Sequence, residues 1–166
     1  MNSDNRIDAT YIIEPFMFDD AKEFYHSAKQ LKRDGNQFNK PYFVLLSLSI
    51  ELVLKSFGVR QKFVVDDEMH SLTKSKVKHT TGHALDDIFN SLRHKQPQLG
   101  ELLMSDYTTR TQQCLATDLK KNARVFEHLR YTYPKNGSAL DHSHTVYVEA
   151  LESVAKFLVD IGEELV

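Results

Sequence analysis

The sequence lacks a second cysteine, an excess of either charge and a long apolar run. Its one cysteine, Cys114, cannot form an intramolecular disulfide and is typical of a reducing compartment. No activating motif surrounds this thiol, so we expect a small core residue and not a nucleophile. Lysine and arginine (21) nearly balance aspartate and glutamate (23). Any nucleic-acid surface must therefore be a local basic patch.

The longest apolar run, from Tyr42 to Leu54, is shorter than the roughly 20 residues that cross a bilayer. The first residues, MNSDNRID, contain no apolar core of the kind found in a targeting segment. We therefore expect a soluble, cytoplasmic protein with no membrane partner. The sequence also lacks a glycine-rich phosphate loop and a Gly-x-Ser-x-Gly turn, and its histidines do not have established metal-ligand spacing. These patterns favour neither a cofactor nor a metal.

Apolar residues recur at helical spacing along most of the 166 residues, enough for one domain over 1–166. Residues before Pro15 are expected to be a loose arm. We predict helices over about 16–34 and 40–57 and a third that opens with Thr80–Leu85 and ends before Pro97. A short helix is predicted near 99–103, then a long one whose apolar residues run over 107–129 and which Pro134 and Gly137 end, and a last one from about Ser143 onwards. The predicted fold is all-α, a four- to five-helix up-and-down bundle with an irregular or extended insertion after the second helix.

The second predicted helix is apolar nearly all round, which is typical of a helix surrounded by other helices. Ser47, Glu51 and Lys55 follow one another at intervals of four residues and form a polar stripe on it. A buried carboxylate without partners would take up a proton. We therefore predict that Glu51 pairs with Lys55 and with groups from other helices, or lies in a polar cleft.

Helical periodicity disappears between Gly58 and Gly82, where Lys74, Lys76 and Lys78 alternate with other residues. In an extended segment these three lysines would lie on one side and form a basic patch suited to phosphates. The competing interpretation is a solvated lysine-rich loop, which the absence of interleaved aromatic residues favours.

Three segments mix core residues with polar ones, namely SIELVLKSF (Ser49–Phe57), TGHALDDIFNSL (Thr81–Leu92) and KNARVFEHLRYTYP (Lys121–Pro134). Together they resemble the HEPN superfamily, helical-bundle proteins related to the C-terminal helical domain of some nucleotidyltransferases. In that family an E-L-x-L-K helix, a G-H-x-L helix start and an R-Y-x-Y-P-like helix end recur in this order. The resemblance implies a bundle that commonly forms homodimers, works in defence or toxin–antitoxin-like systems, and has RNA, a nucleotidyltransferase-like protein or an antitoxin as partner.

The catalytic motif departs from the family pattern. Catalytic members carry Arg, then four to six residues, then His, and cleave RNA without metal at the dimer cleft. Only three residues separate Arg124 from His128, and six residues after Arg130 stands Asn136. Arg124 and His128 share a helix face, so one interpretation is a displaced site in which the arginine holds the phosphate and the histidine moves a proton. The other is a surface pair at a helix end.

A polar cluster of Glu51, Lys55, His83, Arg130 and Tyr131 also has two interpretations. It is either a hydrogen-bonded network that joins three helices or a binding or catalytic cleft. Three functions follow: a non-catalytic or weakly active RNA- or partner-binding module, a metal-independent endoribonuclease with a displaced Arg/His site, or a structural dimeric adaptor. The Arg-to-His spacing favours the first.

Overall fold

A computed structural model describes residues 6–35, 39–66, 71–78, 80–130 and 145–165, with side chains over 13–35, 39–60, 80–129 and 145–165. Helices build the body of the described chain, and the insertion after the second helix is extended, so the predicted fold class is confirmed. No helix in these ranges is long and apolar enough to span a membrane. The elements are β1 (Arg6–Ile12), α1 (Pro15–Arg33), α2 (Lys40–Phe57), β2 (Val59–Asp66), β3 (Ser71–Lys78), α3 (Leu85–Lys95), α4 (Pro97–Thr111), α5 (Leu115–Lys121), α6 (Val125–Arg130) and α7 (Val148–Leu165).

Helix α2 is the centre of the bundle. It packs against α1, α3, α6 and α7, and Ile50, Val53 and Phe57 are fully buried on it. Burial on several sides explains why its apolar residues surround the helix instead of forming one stripe. The sequence-based prediction of a central helix is therefore confirmed.

Helices α1 and α7 close the bundle on one side of α2. The Glu14 carboxylate accepts a hydrogen bond from the Met17 backbone N–H at 2.7 Å, and Pro15 occupies the first turn of α1. Gly162 lets α7 approach α1 closely, because a Cβ built on it would lie 2.3 Å from Cε2 of Phe18. The close contact requires a residue without a side chain at position 162.

The three strands form one antiparallel sheet in the order β1-β2-β3. The extended alternative for the insertion is thus confirmed. The expectation of a loose arm before Pro15 is wrong for residues 6–12, since this segment pairs with β2. Both β2 and β3 lie between α2 and α3 in the chain. The two ends of this insertion are close together, since a Cβ built on Gly58 would lie 3.5 Å from Oγ1 of Thr80.

The long helix predicted over 107–129 is wrong, because the chain breaks twice there. Gln112 adopts a left-handed conformation with φ 60° and ends α4. Asn122 ends α5 and is held by Tyr147, whose backbone N–H and C=O both bond to the Asn122 side chain at 3.0 Å. Cys114 lies exposed between α4 and α5, so its predicted core position is wrong.

Two further boundaries differ from the predictions. The short helix expected near 99–103 is the middle of α4, which begins at Pro97 and continues through Tyr107. Helix α7 begins at Val148, and residues 145–147 before it are not helical. The predicted start at Ser143 lies outside the described residues.

Candidate functional site

A buried carboxylate near the end of α2 is the centre of the site. Only 4% of the Glu51 side chain is exposed. Lys55, one helical turn later, donates from Nζ to its Oε1 at 2.7 Å. His83 Nδ1 lies 3.0 Å from each carboxylate oxygen. The predicted contacts of Glu51 with Lys55 and with a group from outside the helix are present.

The segment before α3 brings His83 to this carboxylate. Gly82 has φ +96°, a left-handed conformation that glycine adopts without a steric penalty. The Leu85 backbone N–H, which follows His83 by two residues, donates to the Ala123 carbonyl at 3.0 Å. The His83 ring also lies 5.1 Å, centroid to centroid, from the ring of Phe126 on α6. The cluster therefore joins α2, the start of α3 and the start of α6.

The arrangement gives His83 a defined orientation at the surface. An ionised carboxylate only accepts hydrogen bonds, so Nδ1 is the donor toward Glu51 and Nε2 is left as the acceptor in the neutral ring. With 44% of its side chain exposed, His83 can be reached from solvent. Chemically, the cluster can present one oriented imidazole nitrogen as an acceptor to a hydroxyl group. The other predicted members, the Arg130 side chain and Tyr131, lie outside the described residues.

The Arg124 and His128 pair lies at the protein surface. The Arg124 carbonyl accepts the His128 backbone N–H at 3.0 Å, so the two residues are one turn apart, as predicted. The Arg124 guanidinium pairs with the Glu127 carboxylate at 3.3 Å, and 61% of the Arg124 side chain is exposed. His128 is also exposed. Arg124 thus has a carboxylate partner on its own helical turn.

The lysine hairpin, which we define as β2 and β3, has its cations at the end nearest the helices. Its backbone register places Arg60 opposite Lys78 and Lys62 opposite Lys76, while a register shift between Lys62 and Phe63 places Lys74 opposite Phe63. The shift interrupts the alternation along β3, so the expectation that all three lysines share one side of the strand is wrong for Lys74. Arg60 is exposed, and the side chains of the four lysines lie outside the described ones. Strand β2 begins two residues after Phe57, and β3 ends five residues before His83. The basic end of the hairpin therefore adjoins the Glu51 cluster along the chain.

A second buried carboxylate, Asp118, was missed by the sequence analysis. The Tyr107 hydroxyl donates to its Oδ2 at 2.9 Å, and Lys121 Nζ lies 2.8 Å from Oδ1. Burial, followed by the bond to Asp118, raises the pKa of Tyr107 above its ordinary value. An aspartate three residues before a lysine, between the apolar Leu115 and Leu119, was the available signal. This network joins α4 to α5.

Within the described ranges, no group of three or more histidine, cysteine, aspartate or glutamate residues is arranged to hold a metal ion. Comparison of the chain with models of protein families, with curated proteins and with solved structures gave no match.

Proposed function

We propose that this protein is a HEPN-like helical-bundle module that binds RNA through the lysine hairpin and does not cleave it. The HEPN resemblance supports a role in a defence or toxin–antitoxin-like system, with an antitoxin or a nucleotidyltransferase-like protein as the proposed further partner. Cytoplasmic RNA is the ligand that this setting supplies.

The observation that carries the proposal is the register of the hairpin. Arg60 is paired with Lys78, and Lys62 with Lys76, in directly opposite positions of an antiparallel pair. Like charges opposite each other destabilise a sheet. The acidic residue of the two strands, Asp66, pairs with Ser71 at the far end and does not offset them. A phosphate backbone along these positions would replace repulsion by attraction and release counterions.

The Glu51 cluster has a supporting role in this proposal. Lys55 holds Glu51 and Glu51 holds His83, so the imidazole is oriented before any ligand arrives. In RNA the 2′-hydroxyl both donates and accepts hydrogen bonds. We assign His83 Nε2 to such a contact at the helical end of the hairpin.

Binding without cleavage follows from the position of Arg124. Metal-free RNA cleavage of the kind that the HEPN resemblance implies needs its arginine and its histidine at the same phosphate. Arg124 pairs with Glu127 on its own turn, and its spacing from His128 is shorter than the catalytic pattern. The competing functions are an endoribonuclease that uses this pair and an adaptor that binds no RNA.

We also propose a symmetric homodimer, which the resemblance implies. Phe16 is 78% exposed at the start of α1 and Leu165 is 40% exposed at the end of α7. The contact of Gly162 with Phe18 brings these helix ends together, so both apolar side chains lie at the same end of the bundle. Covering them in a second copy would remove this apolar surface from water.

The test measures binding and cleavage in one sample. A fluorescently labelled single-stranded RNA is titrated with protein in EDTA at neutral pH, followed by anisotropy, and then run on a denaturing gel. We expect binding with intact RNA. Replacing Lys74, Lys76 and Lys78 by alanine should weaken binding at least tenfold.

The matched control removes the same charge elsewhere. Lys22, Lys40 and Lys120 lie on α1, α2 and α5 and are replaced by alanine together. This variant should bind RNA like the wild type. EDTA-resistant cleavage that His128→Ala abolishes would instead establish the endoribonuclease, and no binding by the wild type would favour the adaptor.

A further inference from the structure

A second basic surface lies between α1, α2 and α7. These helices enclose an open cavity of about 210 Å³. Three lysines, two tyrosines and a glutamate supply its polar lining. They are Lys29, Lys32, Lys156, Tyr25, Tyr42 and Glu152.

The one lining carboxylate is already engaged. Glu152 accepts the Tyr42 hydroxyl on Oε1 and Lys32 Nζ on Oε2, the latter at 2.7 Å. Lys156 pairs with Asp160, one turn later on α7. Lys29 lies 5.5 Å from the centroid of the Tyr25 ring, and among the described side chains no carboxylate pairs with it. Two of the three lysines are therefore paired with carboxylates, Lys32 with Glu152 and Lys156 with Asp160. Lys29 is the cation of the lining that has no carboxylate partner among the described side chains.

The buried Tyr42 fixes the position of the cavity's carboxylate by donating its hydroxyl proton to Glu152. Tyr42 is 2% exposed. Burial, followed by its bond to Glu152, raises the pKa of Tyr42 above its ordinary value, so the hydroxyl keeps its proton. Glu152 is thereby held at the cavity wall, where it offsets Lys32, while Asp160 offsets Lys156. The excess positive charge at the cavity is that of Lys29.

We propose that this cavity binds a small phosphate-bearing anion, with Lys29, Lys32 and Lys156 as its cationic ligands. A volume of about 210 Å³ corresponds to about seven water molecules at about 30 Å³ each. It is smaller than the roughly 300–1,000 Å³ of sites for drug-sized ligands. Phosphate or pyrophosphate fits it, either free or as the terminal group of a nucleotide. A phosphate group carries several anionic oxygens on one centre, so it can bond to more than one of the lining lysines, whereas a carboxylate offers two oxygens.

Anion binding here is independent of RNA binding at the lysine hairpin. Tyr42 and Lys55 are 13 residues apart on α2, which corresponds to about 20 Å along the helix axis. The cavity and the Glu51 cluster thus lie toward opposite ends of the central helix. Loss of binding at one site should therefore leave binding at the other unchanged.

The experiment is isothermal titration calorimetry at constant ionic strength with sodium pyrophosphate, inorganic phosphate, AMP and citrate in separate titrations. Wild-type protein should bind pyrophosphate more tightly than citrate. Tighter binding of AMP than of inorganic phosphate would assign the ligand to nucleotides, and the reverse would assign it to the free ion. Both of these results support a phosphate site.

Variants that remove a positive charge from the cavity, and one that removes its negative charge, locate the site. Lys29→Ala and Lys156→Ala should each weaken pyrophosphate binding at least fivefold, while Lys120→Ala, an exposed lysine on α5, should not. Glu152→Gln should strengthen binding several-fold, because it removes the competing negative charge and frees Lys32. Circular dichroism confirms that each variant is folded.

Three results would overturn the proposal. They are no pyrophosphate binding by the wild type, citrate binding as tight as that of pyrophosphate, and binding that Lys29→Ala and Lys156→Ala leave unchanged. Loss of pyrophosphate binding in the Lys74, Lys76 and Lys78 variant with retention in Lys29→Ala would place the ion at the hairpin and also contradict it.

Discussion

Glu51 is a buried carboxylate in a largely apolar helix. It is stabilised by Lys55 on the same helix and by His83, which is distant in sequence. Buried ion pairs of this kind add little net stability, but removal of one partner leaves an uncompensated charge. The cluster thus fixes the position of the segment before α3 against α2.

The first prediction concerns Lys55. Lys55→Met should lower the free energy of unfolding by about 3–5 kcal/mol, because the buried Glu51 carboxylate would then keep only the half-exposed His83 of its two partners. Combining it with Glu51→Gln should recover more than half of that loss. Urea unfolding followed by circular dichroism measures both.

Lys156→Met is the control, because Lys156 forms a similar i,i+4 pair with Asp160 at the surface. It should cost less than about 1 kcal/mol. Equal losses for Lys55→Met and Lys156→Met would contradict a buried ion pair at Glu51.

The second prediction concerns Tyr107 and alkaline pH. Since the folded pKa of Tyr107 is raised above the ordinary value of 10.0, the folded state keeps a proton that the unfolded state releases. The stability contributed by this tyrosine is fully present below pH 10 and is lost as the pH rises above 10. Tyr107→Phe should cost about 1.5–3 kcal/mol at pH 8, for a hydrogen bond to a charged group, and progressively less between pH 10 and 11.

The comparison for Tyr107 is Tyr147→Phe, whose ring is half exposed. Urea unfolding at several pH values measures the free energy of unfolding of each variant relative to the wild type. This difference should narrow with rising pH for Tyr107→Phe and stay small at every pH for Tyr147→Phe. A difference for Tyr107→Phe that does not change between pH 8 and 11 would contradict the assigned bond to Asp118.

At the scale of elements, α1, α2 and α3 were predictable because their apolar spacing and end signals are local. The breaks after α4 and α5 were not. Apolar residues continue at helical spacing through 107–129, but the Asn122 side chain bonds to Tyr147, 25 residues away. Likewise β1 exists through its pairing with β2, more than 40 residues later, which no local pattern reveals.

The candidate site, too, was predictable only in part from the sequence. A glutamate in an apolar helix demands a partner, and this requirement indicated both Lys55 and His83. The strand register decides which cations of the insertion lie opposite one another. This register shifts at an irregularity between Lys62 and Phe63, which the sequence does not reveal. The cavity at Tyr42 combines the neighbouring helices α1 and α2 with α7, which is distant in sequence, so no motif indicated it.

The third prediction concerns the packing of α1 on α7. Gly162→Ala should lower the free energy of unfolding by about 1–3 kcal/mol, because the added Cβ would overlap the Phe18 ring. Phe18→Leu in the same background should restore part of the loss by making room. Thermal unfolding by calorimetry compares the three proteins, and a stabilised Gly162→Ala, as expected for an open helix position, would contradict the close contact.

For the whole molecule, a net charge of −2 conceals an uneven distribution of cations. One basic group lies in the hairpin beyond the end of α2, and another surrounds the cavity near its start. Electrostatic attraction of a polyanion depends on such local patches and not on the net charge.

The fourth prediction concerns assembly. Light scattering at micromolar concentration should give twice the mass of the 19.2 kDa chain. Phe16→Glu should shift the mass to that of the monomer, because it places a charge in the apolar patch of Phe16 and Leu165. Phe16→Leu is the matched control and should remain dimeric. A monomeric wild type would exclude the proposed homodimer.

The central claim is that the lysine hairpin contacts RNA phosphates, and the salt dependence of RNA binding tests it most directly. Affinities of the wild type and of the Lys74, Lys76 and Lys78 alanine variant for one single-stranded RNA are measured by anisotropy over a series of salt concentrations. Each phosphate contact contributes about 0.7 to the slope of log K against log salt, so the loss of three contacts should flatten the slope by about two units. The Lys22, Lys40 and Lys120 variant should keep the wild-type slope. Equal slopes for wild type and hairpin variant would show that RNA is bound elsewhere or not at all.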